Sequence, residues 1–135
     1  MVSELVSSTL SDEVKAQSVG RAILLVDDEL PILNMLRDVL VDEGFPIITA
    51  RSGVAALLLL QQTTVALVLM DFMMPGLNGL ELAEQLRLNP QTAAIPLLLM
   101  SAVPPADVGS LFMAVISKPV SLDQVVQLIR QFQVG

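Results

Sequence analysis

Five short, almost wholly aliphatic runs constrain this chain more than any other feature: residues 22–26, 46–50, 65–70, 95–100 and 114–116. The first, third and fourth show no polar alternation, so a strand built from them must be buried on both faces. Stretches with helical spacing separate the runs. Ile32, Leu33, Leu36, Val39 and Leu40 recur on one face of a first helix. Pro31 sits early in it, where a missing N–H costs little, and Gly44 is a natural stop. Gly53–Gln62 predicts a second helix, rich in Ala and Leu, and residues 80–88 a third, closed by Asn89 and Pro90. Ser121 caps a last helix that runs to about Gln133 with Leu122, Val125, Ile129 and Phe132 on one face. Strands alternating with helices imply an α/β fold: a doubly wound, five-stranded parallel sheet covered on both sides.

With 135 residues there is room for one domain with a real core. Residues 1–20 are polar and weakly patterned and read as a flexible tail, leaving 21–135 as the domain. Fourteen Asp and Glu against seven Lys and Arg argue against nucleic-acid binding, which needs a basic face. The chain has no cysteine and no histidine. Thiol catalysis, thiolate metal sites and imidazole general bases are therefore excluded, and any chemistry must run on carboxylates, hydroxyls and amines. No apolar run approaches the roughly 20 residues needed to span a bilayer, and residues 1–20 lack the apolar core of a signal peptide. The expected location is cytoplasmic, without membrane association.

Ligands of such sheets bind beyond the carboxyl ends of the strands, where the strand order reverses. The residues there are Asp27, Asp28, Asp71, Ser101 and Lys118. Carboxylates that converge repel one another and call for a hard cation, for which Mg²⁺ is the natural candidate. A carboxylate beside such an ion can attack phosphorus, while an ammonium and a hydroxyl stabilise the transferring phosphoryl group. Each residue alone has a plainer reading: a helix-capping pair for Asp27 and Asp28, a loop hydroxyl for Ser101, a solvated lysine for Lys118. Their joint placement on successive strand ends favours the chemical one.

Four segments carry a resemblance to a known family. They are Ile23-Leu24-Leu25-Val26-Asp27-Asp28-Glu29, Leu69-Met70-Asp71-Phe72-Met73-Met74-Pro75-Gly76-Leu77-Asn78-Gly79, Leu97-Leu98-Leu99-Met100-Ser101-Ala102 and Ser117-Lys118-Pro119. From about Arg21 to Phe132 the chain resembles a response-regulator receiver domain of two-component systems. The resemblance implies a flavodoxin-like, CheY-like (βα)5 fold and a phospho-accepting switch rather than an enzyme, one that assists its own phosphorylation and dephosphorylation. Asp71 would take the phosphoryl group from a histidine kinase or a histidine phosphotransfer protein. Asp28, Asp71 and the Met73 backbone carbonyl would ligate Mg²⁺, with Asp27 acting through water. Ser101 and Lys118 would bind phosphoryl oxygens, and the bond from Lys118 to Pro119 would be cis.

The chain departs from the family in its switch. Val115 stands where receivers carry an aromatic three residues before the lysine, and Phe112, the nearest aromatic, falls on the connection. The stretch from Ser101 to Lys118 is short and holds Pro104, Pro105 and Gly109, which predicts a shortened or irregular helix between the last two strands. Met73 and Val103 flank the expected phosphoryl site and cannot orient an attacking water, so slow autodephosphorylation is expected. Val126, Leu128 and Val134 extend the apolar character of the last helix, which reads as a core helix with exposed aliphatics or as a homodimer or partner interface. Two other function classes share the pattern. One is a pseudo-receiver that binds a protein target without phosphorylation. The other is a Mg²⁺-dependent aspartyl-phosphate hydrolase, disfavoured because Met73 occupies the place of its second Asp.

Overall fold

A computed structural model describes residues 21–103 and 110–132. The elements run β1 (Ile23–Val26), α1 (Leu30–Asp42), β2 (Ile47–Ala50), α2 (Gly53–Gln62), β3 (Leu67–Asp71), α3 (Gly79–Leu88), β4 (Leu97–Ser101), β5 (Ala114–Ser117) and α4 (Leu122–Phe132). The strands form one parallel sheet in the order β2-β1-β3-β4-β5. This is the predicted doubly wound α/β architecture, and the order reverses between β1 and β3. The 1–20 tail and most of the expected irregular helix (104–109) lie outside the described residues.

The period of two along each strand sorts the core onto two faces. Leu24, Val26, Val68, Met70, Leu97 and Leu99 pack with Ala56 and Leu60 of α2 and Leu82, Ala83 and Leu86 of α3. Ile23, Leu25, Leu67, Leu69, Leu98 and Met100 pack with Leu33, Leu36 and Leu40 of α1 and Val125 and Ile129 of α4. Unbroken aliphatic runs are needed because β1, β3 and β4 have a helical layer on each side.

Helix starts depend on side chains that only partly announce themselves in the sequence. Asn78 and Glu81 close a reciprocal capping box on α3, at 2.8 and 3.0 Å. Ser52 accepts from the Ala55 N–H to start α2. On α1 the N-cap is Glu29, without a side-chain cap, so the plainer reading of Asp27 and Asp28 as a capping pair does not hold. Asp27 Oδ1 instead accepts the Glu29 N–H at 2.9 Å, shaping the turn into the helix.

Strand bounds also differ from the aliphatic runs. β3 begins at Leu67 and β4 at Leu97, later than the runs suggest, and both extend to their polar terminal residue. Asp71 pairs in register with Met100, and Ser101 with Ser117, so ladder hydrogen bonding rather than hydropathy decides where these strands end. Val126 and Leu128 of α4 are half-buried against the core, which favours the core-helix reading of their apolar character.

Candidate phosphoryl-accepting site

Parallel strands present their carboxyl ends on one edge of the sheet, and β1, β3, β4 and β5 bring their terminal polar residues there. Asp27 follows β1 and is fully buried, and Asp71 closes β3 at 2% exposure. Carboxylate oxygens of Asp27, Asp28 and Asp71 all lie within 4.8 Å of one another. Lys118, just after β5, places Nζ 2.5 Å from Asp71 Oδ1. Its peptide bond to Pro119 is cis, as the family resemblance implies.

Charge in this pocket is unbalanced. Burial, together with the negative charges of Asp71 and Asp28, pushes the Asp27 carboxyl above the usual carboxylate range against the opposing Glu29 N–H. Burial alone would lower the Lys118 ammonium. The hydrogen bond and charge of Asp71, with Asp27 and Glu29 behind, outweigh that effect and hold it above its ordinary value. Asp27 Oδ2 and Asp28 Oδ1 are buried and accept no hydrogen bond from the described residues. Three carboxylates facing one ammonium thus keep spare oxygen donors, and a hard divalent cation is the group whose chemistry fits them.

The backbone beneath Asp71 is held by a glycine. A Cβ on Gly79 would lie 2.5 Å from the Asp71 carbonyl oxygen and 3.0 Å from Phe72 Cα, while the Gly79 N–H donates to the Phe72 carbonyl at 2.9 Å. The sequence pattern alone makes Gly79 a turn residue; its role is to let α3 start against the strand end that carries Asp71. Gly53 does the same for α2, since a Cβ there would meet the Leu77 carbonyl at 2.8 Å.

The remaining expected residues fall into two groups. Ser101 is buried, and its Oγ donates to the Val103 carbonyl at 2.7 Å. Met73 and Val103 are exposed at 71% and 78%, and their side chains carry no polar group that could orient a water. Val115 is half-buried and packs on the α2 and α3 side of the core, and Phe112 is buried there before β5 begins. No aromatic ring occupies the usual switch position.

A family model for the response regulator receiver domain matches residues 23–130. The chain belongs to that family. It is 36% identical over 84 residues to the phosphate regulon transcriptional regulatory protein PhoB of Pseudomonas aeruginosa, a stretch covering 62% of this chain and 37% of that protein. Over 75 residues it is 43% identical to the transcriptional regulatory protein CpxR of Klebsiella pneumoniae, covering 56% of this chain and 32% of the relative. The chain therefore matches only about a third of the length of these curated regulators. Among solved structures, the N-terminal domain of a response regulator receiver protein from Methanoculleus marisnigri is 34% identical, with a TM-score of 0.68 over 82% of this chain and 94% of that one. The Francisella response regulator 1452 receiver domain shares the fold, with a TM-score of 0.77 at 24% identity over 84% of this chain and 96% of that one. As a receiver, the domain is a component of two-component signalling, a system in which histidine kinases supply the phosphoryl groups.

Proposed function

We propose that this receiver is a phospho-accepting switch and that Asp71 is its acceptor. The observation that carries the reading is the pairing of buried Asp71 with Lys118 beside two unsatisfied carboxylate oxygens. In the proposed step an Asp71 carboxylate oxygen attacks phosphorus on a phosphohistidine of a kinase or phosphotransfer protein. The P–O bond forms as the P–N bond breaks, and the imidazole leaves with the electron pair. Lys118 neutralises one phosphoryl oxygen. Asp28, Asp71 and the Met73 backbone carbonyl would hold Mg²⁺, with Asp27 acting through water. Bound there, Mg²⁺ supplies the positive charge that offsets the carboxylates and the incoming phosphoryl oxygens. The chain is then no enzyme in the usual sense but an acceptor that assists its own phosphorylation and hydrolysis, working in the cytoplasm.

Ser101 links acceptor to readout. To reach a phosphoryl oxygen its hydroxyl must leave the Val103 carbonyl, so phosphorylation releases a backbone acceptor at the exit of β4. With Val115 in the switch position, that exchange rather than an aromatic rotation shifts the conformational population. The downstream target is a protein surface, in keeping with the acidic balance of the chain.

Incubation with Mg²⁺ and acetyl phosphate, followed by intact-mass measurement, tests the proposal. One phosphoryl increment on the wild type, lost in Asp71→Asn, supports it. An unmodified wild type would favour the second reading, a pseudo-receiver that binds its target without phosphorylation, for which the missing switch aromatic is the favouring observation. Sustained turnover of a phosphate ester would point to a hydrolase.

A further inference from the structure

Helix α2 (Gly53–Gln62) has no charged residue, although one of its faces is on the surface. A helix apolar on all sides is normally covered on all sides. Here Val54 and Leu58, one turn apart, are each 57% exposed. Leu88, at the end of α3, is 77% exposed. Between the two helices lies a cavity of about 240 Å³, adjoined beyond their C-terminal ends by one of about 420 Å³ with which it shares Leu60, Gln61 and Thr92. The rims are amides and hydroxyls, among them Gln61, Gln85 and Asn89, with no charged side chain. This is an uncharged groove with an aliphatic floor, on the opposite end of α2 and α3 from Asp71.

The described chain begins at the same end. The Ala66 N–H donates to the Ala22 carbonyl at 2.8 Å, and Thr63 and Thr64, just before Ala66, line the larger cavity. The described residues thus start, at Arg21 and Ala22, beside the groove. Val2, Leu5, Val6 and Leu10 follow the spacing i, i+3, i+4, i+8, with Glu4, Ser7 and Ser8 on the other side of such a helix. The ten residues from 11 to 20 can reach about 33 Å when extended, well beyond the roughly 15 Å length of α2.

We propose that residues 2–10 of this same chain dock as an amphipathic helix in the groove between α2 and α3, against Leu57, Leu60 and Leu88. Apolar anchors at helical spacing on an aliphatic floor are the helix-in-groove mode of recognition, and the uncharged rim leaves no carboxylate or ammonium to desolvate. The docked segment gives α2 the second apolar neighbour that its composition demands.

The absence of native cysteine makes the test direct. A nitroxide on Ser8→Cys in the full chain should attenuate amide signals of residues 57–62 and 85–92 and spare those around Asp71. Leu5→Glu with Val6→Glu, which leaves the sheet and its helices untouched, should restore those signals, as should Leu88→Glu in a chain whose amide spectrum is otherwise unchanged. Attenuation spread evenly over the surface, or persisting in the Leu5 and Val6 variant, overturns the proposal. So does attenuation in a mixture of spin-labelled chains with isotope-labelled chains that lack the nitroxide, which would mean that a second copy fills the groove.

Discussion

Replacing Asp27 by Asn removes one negative charge from a pocket that holds three carboxylates within 4.8 Å. At an effective dielectric of about 20, two like charges at that spacing repel by about 3.5 kcal/mol. Lys118 offsets the charge of Asp71, and solvent screens half-buried Asp28, so more than half of that repulsion is already relieved. Asn keeps the Oδ1 acceptor for the Glu29 N–H, while the oxygen replaced by the amide is the one without a partner. In chelator at neutral pH, Asp27→Asn should therefore stabilise the chain by about 1–2 kcal/mol, which at roughly 4 °C per kcal/mol is several degrees in Tm. The gain should depend on pH. The folded Asp27 carboxyl lies above its ordinary 3.8, so its contribution to wild-type stability is present below that value and lost as pH rises through the folded one. The difference between variant and wild type should shrink on acidification toward pH 4. Added Mg²⁺ should reverse the order, because ligand binding stabilises by about 2.7 kcal/mol at a hundredfold excess over Kd and the variant has lost a carboxylate. Thermal melts across pH, with chelator and with Mg²⁺, provide the assay. A variant less stable than wild type in chelator, or a difference that does not change with pH, would refute the electrostatic account of the pocket.

Other outcomes follow from the same geometry. Lys118→Met leaves buried Asp71 without its counter-ion and should cost about 3 kcal/mol in urea melts, with much of the loss recovered in the double variant that adds Asp71→Asn. Arg87 donates to the carbonyls of Ala93, Ile95 and Leu111 at 2.7–2.8 Å; Arg87→Met should cost about 2 kcal/mol and speed amide exchange near Leu111. Gly79→Ala should slow phosphorylation of Asp71 by acetyl phosphate as well as lower Tm, because its methyl group would displace the Asp71 carbonyl. Exposed Met73 and Val103 cannot orient water, so phospho-Asp71 should persist for minutes or longer, and decay within seconds would contradict that reading.

Most of the architecture is legible in the chain because strands buried on both faces have to be aliphatic throughout, as β1, β3 and β4 are. The site residues are legible for a related reason: an Asp, Ser or Lys that interrupts such a run stands out. Less visible are features that depend on contact. Nothing in the spacing of Arg87 shows that its guanidinium ties both crossover ends to α3. Gly79 resembles any other turn glycine until the Asp71 carbonyl is seen beneath it. The capping box of Asn78 and Glu81 is written in the sequence, but the Pro75, Gly76 and Gly79 turn signals around it mask the pattern.

The α/β class, the helix and strand order, and the identity of the acids, the hydroxyl and the lysine at the strand ends are readable along the chain. Local hydropathy and residue chemistry are enough for that. The pairing of Asp71 with Lys118, the unsatisfied Asp27 Oδ2 and Asp28 Oδ1, and the engagement of Ser101 with Val103 emerge from the folded chain alone. The fold also places Leu57 and Leu60 of α2 along an open groove and leaves Val54 and Leu58 exposed. Apart from the local Ser101 contact, those facts depend on distances between residues far apart in the chain, set when the strands take the order β2-β1-β3-β4-β5 and the helices close over the two faces of the sheet.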